Sequence, residues 1–72
     1  KQPKGGKTME RSELEWLATR IIRYRGKHNI SQGAFAKICK VNRYTILRIE
    51  NLDASPSRLT VAKIEEVLNS KE

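Results

Sequence analysis

The chain has 72 residues, of which 38% are hydrophobic, and a net charge of +7 from 15 basic and 8 acidic side chains. This length allows one small domain. The sequence contains no apolar run long enough to span a membrane, no secretory signal, and a single cysteine, Cys39, which excludes an internal disulfide.

Basic residues are concentrated in the middle of the chain. The segment 20–48 contains no acid and eight basic residues: Arg20, Arg23, Arg25, Lys27, Lys37, Lys40, Arg43 and Arg48. A concentrated positive field attracts a polyanion, which can be nucleic acid or an anionic membrane surface. Many small soluble domains are also basic, so charge alone does not decide between these options.

The first predicted helix follows a basic N-terminal arm. Residues 1–11 are expected to be flexible, since "KQPKGGKT" has no apolar residue. Ser12 is a favourable N-cap for a helix that ends in "GKHN". At about 100° per residue, one face carries Leu14, Leu17, Ala18 and Ile21. Arg25 falls on that same face, where a charge needs a partner, whereas Trp16 points outward.

A second, shorter helix is predicted from the segment "NISQGAFAKICKV". Ser31 is its N-cap. Its apolar side is expected to consist of Ala34, Phe35, Ile38 and Cys39. A sharp turn is expected at Lys40.

The third predicted helix has an apolar and a polar side. It is capped by Asn42 and runs from Arg43 to about Asn51. Ile46 and Ile49 face inward, and the outer side carries Tyr44, Leu47, Arg48 and Asn51. Glu50 lies at the edge of the apolar face. Because Arg25 also leans toward the core, we expect Arg25 and Glu50 to form an ion pair.

A fourth helix follows the loop "LDASPS". It is capped by Ser57 and runs to about Asn69, with its apolar positions at Leu59, Ala62, Ile64, Val67 and Leu68. Residues 70–72 are expected to fray. No strand pattern is visible, so the predicted fold is all-α, with one domain at 12–69.

The second and third helices have the pattern of a motif that binds duplex DNA. In a helix-turn-helix, the second helix of the pair enters the major groove and the first lies across the backbone. A small residue is needed where the helices cross, and Ala36 occupies that position. The chain resembles the Cro and lambda-repressor-like family, also called Xre-like, in "IIRYR" at 21–25, "ISQGAFAKICKVNRYTILRIEN" at 30–51 and "SPSRLTVAKIEEVL" at 55–68.

The resemblance implies a compact bundle of four or five short helices and assigns roles by position. It implies base contacts from Asn42, Arg43, Tyr44, Leu47 and Arg48. It implies phosphate contacts from Gln32 and Asn51, and the charge of Lys37 and Lys40 favours the same role for them. Arg25 and Glu50 match an ion pair that ties the first helix to the recognition helix. Two residues depart from the family: Lys40 and Leu52 both replace a common glycine, and lysine at a turn that requires positive φ costs about 1 kcal/mol.

The expected function is sequence-specific duplex DNA binding by a transcriptional regulator, most often a repressor, located in the cytoplasm at the nucleoid. The expected partner is double-stranded DNA, with a homodimer on paired half-sites as a further expectation. Alternatives are a protein-interaction module contacting through Trp16 and Leu47, an RNA-binding module, and the antitoxin of a toxin–antitoxin pair. No cofactor, metal, small-molecule substrate or enzymatic activity is expected, because no paired carboxylates, metal-ligand cluster or phosphate-binding glycine loop is present.

Overall fold

The computed structural model describes residues 10–70, which form four α-helices joined by short turns and one longer loop. The helices are α1 (Arg11–His28), α2 (Gln32–Cys39), α3 (Arg43–Glu50) and α4 (Arg58–Leu68). This part of the chain contains no strand, and the all-α prediction is confirmed. The expectations for residues 1–9 and 71–72, most of the predicted arm and the end of the tail, lie outside the described residues.

A single core joins all four helices. Phe35 of α2, Ile21 of α1 and Ile64 of α4 have no exposed side-chain surface, and neither do Ile46 and Ile49 of α3. The remaining buried hydrophobic residues are Leu14, Leu17, Ala18, Ala36 and Cys39. A core this small depends on each large side chain, because a short chain buries a limited fraction of its surface. Because Ile46 and Ile49 belong to this core, the apolar side of α3 sets the orientation of the helix.

Three of the four helix starts are capped as the sequence predicts. Ser31 Oγ accepts from the Ala34 N–H, Asn42 Oδ1 from the Tyr44 N–H, and Ser57 Oγ from the Thr60 N–H. These bonds satisfy donors that have no partner within the first turn of a helix.

The predicted cap of α1 is wrong. Glu10 occupies the N-cap position, so that α1 starts at Arg11 and Ser12 lies inside its first turn. The Glu10 N–H donates to the Glu13 carboxylate at 3.3 Å. A glutamate three residues after the cap can satisfy the cap's own N–H, and this spacing moves the helix start upstream.

The first three helices end in one shared backbone closure. In each, a non-glycine residue adopts the left-handed conformation: Asn29 at φ 56°, Lys40 at φ 63° and Leu52 at φ 59°. At the end of α2, the Lys40 N–H donates to Lys37 O at 3.1 Å and the Val41 N–H donates to Ala36 O at 3.0 Å. This pair of bonds satisfies carbonyls that the helix leaves open, and glycine is the usual residue at the left-handed position.

The sequence pattern misplaced several apolar residues. Ile38 is 48% exposed and Leu59 is 67% exposed, so neither belongs to the core that the pattern predicted, and Ala62 is also exposed. In α4, Ile64 is buried and Val67 and Leu68 pack against the core, as predicted, and Val61, which was not predicted, packs there as well. The loop between α3 and α4 adds buried surface that the sequence analysis did not predict, through Pro56, Leu52 and Ala54.

Candidate nucleic-acid interface

α2 and α3 form a compact unit connected by residues 40–42 only. The closure at Lys40 reverses the chain direction, and Asn42 then caps α3 through a 2.7 Å bond to the Tyr44 N–H. Buried Ala36 and partly buried Val41 contribute to the packing around this turn. As a result, α3, the second helix of this pair, keeps both its start and its outer side accessible.

The outer side of α3 carries polar and aromatic side chains. Asn42, Arg43, Tyr44 and Arg48 are exposed, with Tyr44 at 61%, while Leu47 is half-buried. On the opposite side of the same helix, Ile46 and Ile49 are fully buried. All five predicted base-contact positions thus lie at the start of α3 or on its outer side. Leu47 offers less apolar surface than the sequence analysis assumed.

Arg43 lies across the start of α2. Its Cδ would be 3.5 Å from a Cβ added to Gly33, which is an ordinary van der Waals distance. Its guanidinium lies 5.8 Å from the centroid of the Tyr44 ring, within the range of a cation–π contact. A Cβ at position 33 would therefore contact Arg43 without a clash. This contact was not predicted, because helical periodicity places residues on faces but does not relate one helix to another.

A three-residue network links α1, α2 and α3. Arg25 Nη1 donates to both carboxylate oxygens of Glu50, at 3.0 and 2.9 Å, which is the ion pair expected from the sequence. The Glu50 side chain is only 9% exposed. Gln32 Nε2 also donates to Glu50 Oε1 at 3.0 Å. A buried carboxylate is costly without partners, and here it has donors from two other helices.

The position of Gln32 bears on its predicted phosphate contact. Gln32 is the first residue of α2, where free N–H groups favour an anion. Its side-chain amide donates to Glu50 and is held at the α2 start by that bond. The sequence predicts only a DNA contact for Gln32, and the bond to Glu50 was not predicted. The signal available was a glutamine and a glutamate on helices that the motif brings together.

Arg48 is held by the loop that follows α3. Its Nε donates to the Asp53 carbonyl at 3.1 Å, and the Asp53 N–H donates to Arg48 O at 2.7 Å. The side chain is otherwise exposed. No sequence pattern predicts a side-chain bond to a loop carbonyl, since it depends on the left-handed conformation of Leu52.

The remaining predicted phosphate contacts are exposed. Lys37 lies in the last turn of α2, Lys40 forms the turn itself, and Asn51 directly follows α3. Within residues 10–70, the arginines in ion pairs are Arg11, Arg20 and Arg25. The other cations of the basic segment therefore keep their charge available to an external anion: Arg23, Lys27, Lys37, Lys40, Arg43 and Arg48.

Cys39 is a buried structural residue. Burial raises the pKa of its thiol to about 11, so the thiol is protonated at neutral pH. In the part of the chain that the structure describes, no three His, Cys, Asp or Glu side chains are grouped as a metal site would require. No helix between residues 10 and 70 is both long and apolar enough to cross a membrane.

Comparison with protein families agrees with this geometry. The helix-turn-helix family matches residues 21–72, well over half of the chain, and the chain belongs to this family. The match is of the Cro and lambda-repressor type, the Xre-like group of DNA-binding transcription regulators. Neither the curated proteins nor the solved structures contain a match to the chain. The fold and the family thus define a DNA-binding helix-turn-helix regulator.

Proposed function

We propose that this regulator recognises a duplex DNA sequence by inserting the outer side of α3 into the major groove and that it represses transcription by covering a promoter. The observation that carries the proposal is the division of α3 into two sides. Ile46 and Ile49 are fully buried, whereas Arg43, Tyr44 and Arg48 are exposed on the same eight-residue helix. A helix held by its apolar side and polar elsewhere is suited to contact base edges.

Phosphate contacts supply the sequence-independent part of the binding. Lys37 and Lys40 lie at the end of α2, and Gln32 lies at its start. Neutralising phosphates releases counterions, which supports affinity and makes it depend on salt. In this proposal Gln32, Lys37, Lys40 and Asn51 set the register of the protein on the backbone, while Asn42, Arg43, Tyr44, Leu47 and Arg48 contact base edges.

A single copy of this domain presents few base contacts, so we also propose that two copies bind paired half-sites. One short recognition helix reaches only a few base pairs, and helix-turn-helix dimers bind half-sites about one helical turn apart. Selection from a random duplex library at fixed salt tests this directly. We expect a recurring motif in two copies at constant spacing. A single unpaired motif would contradict the dimer, and the absence of any motif would contradict sequence recognition.

The matched variants Arg43→Ala and Lys37→Ala test the assignment of roles. Arg43→Ala should weaken binding to the selected duplex by about tenfold or more and binding to random duplex much less, because an arginine–guanine contact discriminates by about 1–3 kcal/mol. Lys37→Ala removes one positive charge as well, yet should weaken both duplexes similarly and lower the salt slope by about one unit. A competition titration measures both. Equal losses on both duplexes for Arg43→Ala would show that it does not contact bases.

A further inference from the structure

The closures of α1 and α3 contain an arginine at equivalent positions. In each case the carbonyl of the arginine accepts the last N–H of the closure: Ile30 N to Arg25 O at 3.0 Å, and Asp53 N to Arg48 O at 2.7 Å. In each case the Nε of the arginine also donates back to the same loop residue. Arg25 Nε lies 3.3 Å from Ile30 O, and Arg48 Nε lies 3.1 Å from Asp53 O.

This side-chain bond replaces the contact that usually accompanies the motif. Closures of this type often join the two positions through apolar side chains, and α2 has Ala36 and Val41 there. With arginine in that position, the Nε bond fixes the direction of the planar guanidinium. The two Nη atoms at its far end remain as further donors.

The two arginines differ in what their Nη atoms bind. Arg25 donates from Nη1 to the Glu50 carboxylate at 3.0 and 2.9 Å. The Arg48 side chain makes one hydrogen bond within residues 10–70, from Nε to Asp53 O. No carboxylate among these residues forms an ion pair with Arg48. Arg25 thus has an acceptor pair on one of its Nη atoms, whereas neither Nη atom of Arg48 has a hydrogen-bond partner among residues 10–70.

We propose that Arg48 is a specificity-determining residue that binds one guanine end-on through Nη1 and Nη2, with its direction set by the Asp53 carbonyl. This inference rests on the proposed function and deepens it. The O6 and N7 atoms of guanine form an acceptor pair that matches a guanidinium fork. At about 100° per residue, Arg48 lies on the exposed side, roughly 50° from the direction opposite the buried Ile46 and Ile49. In the proposed docking of α3 in the major groove, side chains on this side reach base edges.

The positioning part of the proposal can be tested without DNA. In a proton–nitrogen NMR spectrum of the free protein, the Nε–H signals of Arg25 and Arg48 should be resolved and exchange slowly with water. Arg23 is the matched control, since its side chain has no hydrogen bond among the described residues, and its signal should exchange rapidly. If Arg48 exchanges as fast as Arg23, the Asp53 carbonyl does not hold the guanidinium and the proposal is wrong.

The variant Arg48→Lys tests the guanine contact. It keeps the charge but removes the fork, so preference at one guanine position should fall about tenfold or more while affinity for random duplex changes less than about twofold. Selection with the variant locates the affected position. An equal loss on all sequences would indicate a phosphate contact and overturn the proposal.

The two failures are distinguishable. If the wild-type chain selects no motif, the proposed function fails and the guanine contact fails with it, whatever the Nε–H signal shows. If the wild type selects a motif that Arg48→Lys leaves unchanged at every position, the proposed function stands and the role of Arg48 is refuted.

Discussion

The turn before α3 and the loop after it have the same backbone closure, but the left-handed residue is a charged lysine in the turn and an apolar leucine in the loop. Lys40 before the helix and Leu52 after it share a left-handed conformation, at φ 63° and 59°, and neither is glycine. Lys40 is exposed, whereas Leu52 packs against the core. Each residue tolerates a conformation that costs about 1 kcal/mol for a residue with a side chain. At Leu52 the core gains apolar contact in return, whereas the exposed side chain of Lys40 forms no hydrogen bond or ion pair within residues 10–70.

The loop side of this comparison also contains the network that should dominate stability. Glu50 is the last residue of α3 and accepts hydrogen bonds from Arg25 and Gln32. Glu50→Ala should lower the free energy of unfolding by about 3 kcal/mol, because it leaves Arg25 without its partner in a partly buried position. The estimate is at the low end for buried pairs, since the Arg25 side chain is 25% exposed. A urea titration measures the change.

The exposed pair of Arg11 and Glu15 provides the control for that prediction. Arg11 Nε lies 3.4 Å from Glu15 Oε2, and the two side chains are 70% and 55% exposed. Exposed pairs contribute little, so Glu15→Ala should leave the urea midpoint almost unchanged. If Glu50→Ala and Glu15→Ala lower the free energy of unfolding equally, the network at the end of α3 stabilises the fold no more than an exposed ion pair does.

The turn side relies on burial of Cys39, directly before Lys40. The folded-state pKa of its thiol is about 11, above the ordinary value of 9.0. The unfolded chain therefore loses the proton first, and stability present below pH 9 is lost as pH rises toward 11. Two pH units correspond to roughly 2–3 kcal/mol. Cys39→Ala should remove this part of the pH dependence. If the free energies of unfolding of both proteins fall in parallel between pH 8 and 11, burial of the Cys39 thiol does not cause the loss.

Leu52→Gly tests whether backbone strain or apolar packing contributes more to the free energy of unfolding at the loop. The substitution relieves the backbone strain, worth about 1 kcal/mol, but removes a partly buried leucine and adds freedom to the unfolded chain. We expect a net destabilisation of about 2 kcal/mol by urea titration. Asn29→Gly is the matched control at the end of α1, where the side chain is exposed and asparagine tolerates this conformation; it should change stability little. A gain in stability for Leu52→Gly would mean that strain outweighs packing.

The parts of the fold that sequence predicts well are those set by local rules. The caps Ser31, Asn42 and Ser57 depend on one side chain and a nearby N–H, and all three are observed. The buried positions of α3 follow from helical periodicity because Ile46 and Ile49 lie on one narrow face. The ion pair of Arg25 and Glu50 was inferable because each charge alone leans toward the core.

The errors arise where position depends on how helices meet. Ile38 and Leu59 are hydrophobic and lie on helices, but the structure leaves both largely exposed because α2 and α4 contact the core through other residues. The bond from Gln32 to Glu50 joins two helices, and the bond from Arg48 to Asp53 joins a helix to the loop after it. Such bonds depend on crossing angles and on the left-handed turns, which a one-dimensional pattern does not contain.

Lys40→Gly tests the other half of the comparison and should have the smallest effect on stability. Glycine adopts the left-handed conformation without penalty, so the free energy of unfolding should rise by about 0.5–1 kcal/mol. DNA binding should change in the opposite direction, with weaker affinity on all duplexes and a salt slope lower by about one unit. Lys40→Ala separates the two causes, because it removes the same charge but keeps the strain: it should match Lys40→Gly in DNA binding without gaining its stability. If Lys40→Gly gains stability and binds DNA as tightly as the wild type, the lysine is not retained for a phosphate contact, and the two ends of α3 would differ only in packing.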